Sequence, residues 1–124
     1  MAANVAERLS LSRKQRIKQG RDFSRLRRKG RRLTYGCLTI NWQPLAMETT
    51  SRVGVIVGGK LGNAVVRSRI KRLLREAFRQ HQHKLSQAID LVLVAQAPIV
   101  GKTFAEVERD FLMAIGKAGL LKGS

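Results

Sequence analysis

The stretch Gly62-Asn-Ala-Val-Val-Arg-Ser-Arg-Ile-Lys-Arg-Leu-Leu-Arg-Glu-Ala-Phe-Arg79 decides how the rest of the chain must fold. Wound as a helix at about 100° per residue, it gathers Val66, Ile70, Leu73, Leu74, Ala77 and Phe78 on one side. Ser68, Lys71, Arg72, Arg75 and Arg79 gather on the other. The first face needs a hydrophobic partner and the second needs negative charge. A solvated helix face ordinarily mixes signs, with Glu placed four residues ahead of Lys or Arg. Here Glu76 is the only acid among six basic residues between Arg67 and Arg79, so Lys71 repels Arg75 and Arg75 repels Arg79. The plain reading is a basic solvated face. The sharper one is a polyanion partner, which explains why the charges are left unneutralised.

Outward from this helix the pattern turns to strands. Upstream, Arg52-Val-Gly-Val-Ile-Val57 is β-branched and apolar, and Leu38-Thr-Ile-Asn-Trp42 alternates with period two before Pro44 ends it. Met47 to Ser51 between them reads as a hairpin loop, and Arg31 to Tyr35 as a short edge strand. Downstream, Asp90-Leu-Val-Leu-Val-Ala95 is the continuous apolar run of a strand buried on both faces. Strand, basic helix and strand make a βαβ unit. Gly58 to Gly62 is the hinge into the helix, with Asn63 as its cap, but the spacing of a nucleoside-triphosphate loop is absent. Arg21 to Lys29, closed by Gly30, fits a short helix with Phe23 and Leu26 facing the core. Thr103 to Glu106 carries a capping-box signature, followed by the stripe Phe104, Val107, Phe111, Leu112 and Ile115 of a last helix. We therefore expect a basic, flexible arm over residues 1–19 and one folded domain over 20–124.

The 124 residues carry 25 Lys and Arg against 8 Asp and Glu, a formal net charge of +17. Arg8 to Arg32 holds 12 of the basic residues and Lys60 to Arg79 another 7, so the charge is concentrated in two blocks. That balance belongs to nucleic-acid binders, and less often to proteins on anionic membranes. The apolar runs are too short to span a bilayer, no secretory signal is visible, and the lone Cys37 has no disulfide partner and reads as a buried small hydrophobe. A cytoplasmic protein without a membrane role is expected. His81 and His83 could bind a metal, but no carboxylate cluster accompanies them in the sequence, and we expect no catalytic or metal-binding side chains.

Arg21-Asp-Phe23 followed by Gly30, then Arg52-Val-Gly-Val-Ile-Val57, and above all Gly62 to Phe78 resemble the protein component of bacterial ribonuclease P. The resemblance covers roughly residues 16–111. It implies an α+β sandwich of order α-β-β-β-α-β-α, with a four-stranded mixed sheet and a left-handed βαβ crossover against the usual rule. It also implies a protein that does not itself catalyse. Such a protein binds a large catalytic RNA, whose magnesium ions cut precursor tRNA, and holds the substrate's single-stranded 5′ leader. By position, Lys60, Arg67, Ser68, Arg69, Arg72 and Arg79 would face the catalytic RNA. Phe23, Arg27, Thr39, Asn41, Lys71 and Arg75 would line a leader cleft between the sheet and the basic helix. Phosphate or sulfate should bind the isolated protein.

Three positions depart from the family pattern. Ser68 stands where Asn is usual, Gly59-Lys60 replaces two lysines, and Arg27 replaces a second aromatic. Composition alone would equally fit a ribosomal or RNA-chaperone protein.

Overall fold

A computed structural model describes residues 16–17, 20–45 and 50–122. The arm expected over residues 1–19 lies almost wholly outside them. Its last part does not: the Ile17 N–H donates to the Val53 carbonyl at 2.8 Å, and Ile17 is buried.

The elements follow the expected order: α1 (Gly20–Lys29), β1 (Arg31–Tyr35), β2 (Leu38–Pro44), β3 (Arg52–Ile56), α2 (Ala64–His81), β4 (Ile89–Ala95) and α3 (Phe104–Lys117). The four strands form one mixed sheet in the order β1-β2-β4-β3. β1 pairs antiparallel with β2, β2 antiparallel with β4, and β4 parallel with β3.

One expectation fails here. β2 and β3 do not form a hairpin, because β4 lies between them. The reason is visible in β4 itself: Ile89, Leu91 and Leu93 are apolar on one face and Val92 on the other, and all are buried. Only a central position covers both faces of such a strand. The expected Met47–Ser51 loop falls largely outside the described residues. The hairpin of the sheet is instead β1–β2, turned at Gly36, whose φ of +56° a glycine adopts without a Cβ penalty.

Strand alternation sorts the sheet into two faces. Leu38, Ile40, Trp42, Val53, Leu91 and Leu93 meet Ile70, Leu74, Ala77 and Phe78 of α2 and Val107, Phe111, Ala114 and Ile115 of α3 in one core. The opposite face carries a smaller cluster, Ile17, Leu26 and Val92, with Phe23, Ile56 and Val94 partly buried against it. α1 packs there, on β2 and β4.

Both long helices are capped as the sequence predicts. The Asn63 side chain accepts from the Val66 N–H at 3.0 Å. Thr103 Oγ1 accepts from the Glu106 N–H while Glu106 Oε1 accepts from the Thr103 N–H, a complete capping box. Beyond α3, the chain closes on itself where the Ser86 N–H donates to Leu120 and the Lys122 N–H to Lys84.

Candidate nucleic-acid interface

α2 begins with no acid in its first turn, so the positive end of its dipole is not offset locally. Ser68, Arg69 and Arg72 are exposed, as is Lys60 in the 3-10 turn Gly59–Leu61 that packs against the helix start. Two of the arginines are held by the chain's own carbonyls. Arg67 Nε donates to Gly62 O at 3.2 Å, and Arg69 Nη2 donates to Lys102 O at 3.0 Å. Each bond uses part of a five-donor guanidinium and leaves the rest to face an anion.

Arg79 stands apart. It lies twelve residues beyond Arg67, about 18 Å along a helix rising 1.5 Å per residue, and it donates through Nε and Nη2 to the two oxygens of Glu76. That pairing holds the Glu76 carboxyl down at about 2. Of the six side chains expected to meet the catalytic RNA, Lys60, Arg67, Ser68 and Arg69 lie at the start of α2, Arg72 lies at its middle, and Arg79 is paired with Glu76 near its other end.

The six residues expected in a leader cleft divide between two places. α2 seals its apolar side onto the sheet, with Ile70, Leu74, Ala77 and Phe78 in the shared core. Thr39 and Asn41 point to the face that α1 covers, and Phe23 lies on that same face. Phe23 is half-buried with its ring over Gly54, where an added Cβ would meet the ring at 2.7 Å. Asn41 is half-buried, and its Oδ1 is packed against Gly30 with no hydrogen-bond partner. Thr39 is only 1% exposed; its hydroxyl is bonded to Thr34 Oγ1 at 2.7 Å and accepts from Gln96 Nε2 at 2.9 Å. Arg27 is on α1, but its side chain lies outside what is described. Lys71 and Arg75 are on α2, beyond the β3 edge. Burial, and then the charge of Arg16 on that edge, lower the Arg75 pKa. Positive charge therefore continues around β3 from one face toward the other.

Sequence reasoning missed several of the polar groups that build this surface. Asp90, read as the start of an apolar strand, is fully buried and accepts from Arg52 Nε at 2.7 Å, Arg52 Nη2 at 2.6 Å and Arg25 Nη2 at 2.9 Å. Its signal was a charge at the head of a run buried on both faces. Asp110 sits on the buried stripe of α3 and accepts from the Cys37 N–H at 3.0 Å, fastening the β1–β2 turn. An acid between Val107 and Phe111 marked it. Glu108 reaches His81 Nε2 at 2.7 Å, so that histidine serves a contact between α2 and α3. Among the described residues no group of three or more His, Cys, Asp or Glu comes together as a metal site.

Fold and charge together define a small α+β protein whose exposed basic residues include Arg21, Arg28 and Lys29 of α1, Arg31 and Arg32 of β1, and Lys60, Arg69 and Arg72 at and within α2. A family model described as Ribonuclease P matches residues 11–119. The chain belongs to the ribonuclease P protein family. The ribonuclease P protein component of Syntrophomonas wolfei is 38% identical over 110 residues, covering 89% of this chain and 92% of that one. The Oceanobacillus iheyensis component is 34% identical over 109 residues, covering 88% and 90%. The solved RNase P protein of Staphylococcus aureus superposes with a TM-score of 0.80 at 29% identity, over 87% of this chain and 98% of that one. No helix among the described residues is long and apolar enough to cross a membrane.

Proposed function

We propose that this chain is the protein subunit of a cytoplasmic ribonuclease P, binding the catalytic RNA and the 5′ leader of precursor tRNA while the RNA performs the cleavage. The observation that carries this reading is the start of α2, where Arg67 and Arg69 are pre-aimed by backbone carbonyls beside the exposed Arg72 and Lys60. A guanidinium already held in place loses less freedom on binding a phosphate, and its planar fork suits phosphate better than an ammonium does. Ser68 is exposed within this group and supplies a hydroxyl where an amide is usual.

The leader lies on the α1 side of the sheet, over Phe23 and the Thr34–Gln96 row, and passes around the β3 edge toward Lys71 and Arg75. The magnesium ions of the reaction are held by the RNA and its substrate, and the protein's part is to position the leader. With about six to eight phosphates neutralised, log K falls with log salt at a slope of roughly −4 to −7. Sulfate or phosphate raises the thermal midpoint of the free protein by occupying the same clusters.

The deciding experiment is cleavage of precursor tRNA by a bacterial ribonuclease P RNA at low magnesium, with and without this protein. Restored 5′ cleavage, with no cleavage by the protein alone, is the expected result. RNA and protein together performing no better than RNA alone overturns the reading in favour of a general RNA-binding or chaperone role.

A further inference from the structure

We infer that Asp90 is a positioning residue: it sets the rotation of α1 on the sheet and thereby where Phe23 meets the leader. The inference rests on the leader-binding reading for its functional half and on geometry alone for its structural half.

Asp90 is 0% exposed. An isolated carboxylate buried so completely would be heavily penalised, and the penalty is met here by three guanidinium donors. Arg52 stands directly opposite Asp90 in the parallel register of β3 and β4 and grips it with two bonds. Arg25 reaches it from α1. One carboxylate therefore joins the helix to two neighbouring strands.

The helix needs this because its apolar anchor is small. Among the described side chains of α1, Leu26 alone is fully buried, in a cluster with Ile17 and Val92 against which Phe23 is only partly buried. Apolar burial is non-directional, so a helix held at Leu26 alone could roll about its axis. At about 100° per residue, Arg25 and Phe23 project on opposite sides of the Leu26 line. Fixing Arg25 at Asp90 therefore fixes the roll, and the roll lays the Phe23 ring on Gly54, where the absence of a Cβ leaves room for it.

The test uses the full-length chain in two variants, Asp90→Asn and Arg25→Met. The second leaves the Asp90–Arg52 pair intact and serves if the first fails to fold. Hydrogen exchange of the free protein is the first readout. The α1 amides should exchange roughly 10- to 100-fold faster in both variants, the worth of a charge-assisted bond, with α2 amides unchanged. The second readout, with the catalytic RNA bound, is the affinity ratio between precursor tRNA with and without its leader. That ratio should fall about tenfold or more in both variants.

A plain charge effect on RNA predicts the reverse pattern, with Asp90→Asn strengthening binding and Arg25→Met weakening it. Opposite signs overturn the inference. So does α1 exchange that is unchanged, or that rises equally with α2. If the unmodified protein shows no preference for the leader, the functional reading fails and the exchange result alone decides the role of Asp90.

Discussion

The two faces of the sheet are built on different physics although the same strands supply both. Along β2, Leu38, Ile40 and Trp42 enter the core beneath α2 and α3, while Thr39, Asn41 and Gln43 turn to the α1 side. The first face is closed by close-packed aliphatic and aromatic side chains, which stabilise in proportion to the area they bury. The second has a short apolar anchor, a buried carboxylate with two arginines, and a row of hydroxyls and amides. The face that carries most of the apolar burial is distinct from the face that presents polar groups, so exposed residues on the second can change at less cost to the fold than residues of the first.

Truncation gives the largest test of that contrast. Phe111→Ala, at a side chain 1% exposed in the larger core, should cost about 3–5 kcal/mol, and Leu26→Ala on the other face only about 2 kcal/mol, because α1 can settle into the space. Urea denaturation of both would erase the distinction if the two losses came out equal. Next in size is Asp110→Ala, which leaves the buried Cys37 N–H without its acceptor and should cost roughly 1–3 kcal/mol in the same assay.

Cys37 sharpens the contrast through pH. Burial first, and Asp110 second, push its thiol up to about 12 from an ordinary value near 9.0. A raised pKa means stability that is complete below the unfolded value and is lost as pH rises from about 9 toward about 12. Alkylation at pH 8 should therefore be far slower in the folded protein than in urea. Labelling at equal rates would place Cys37 outside the core.

The smallest effect belongs to the Glu76–Arg79 pair on the α2 surface. Its depressed carboxyl contributes stability present above the unfolded pKa and lost as pH falls from about 4.5 toward about 2. Because the pair is partly solvated, Glu76→Gln should cost only a few tenths to about 1 kcal/mol at neutral pH. A larger loss in thermal melts would show that α2 depends on it as the core does.

Much of the fold was legible because periodicity reports burial directly. The α2 stripe, the β2 alternation, the capping box at Thr103 and the Asn63 cap all appear where their residues predict. Strand neighbours were not legible in the same way. Nothing local in Arg52 to Val57 tells it to pair with residues 89–95 rather than with β2; that choice belongs to the apolar content of β4 on both faces. Of the candidate site, the exposed basic residues at the start of α2 could be read from charge and periodicity. The site was opaque at Asp90 and Arg25, whose partners are 65 residues apart, and at Thr39, whose burial depends on Thr34 and Gln96 folding over it.

The central place of β4 also has a consequence for synthesis. Its ladder to β3 joins residues 38 positions apart, and the Gln96–Thr39 bond beside its ladder to β2 spans 57. A nascent chain leaving the ribosome can close the β1–β2 hairpin early, but β2 and β3 must wait with open edges while the basic helix, which follows β3, emerges ahead of β4. The sheet becomes continuous only when the seventh strand-or-helix segment is still being made, so a chain stalled before residue 89 would offer the cell a charged helix with no scaffold beneath it.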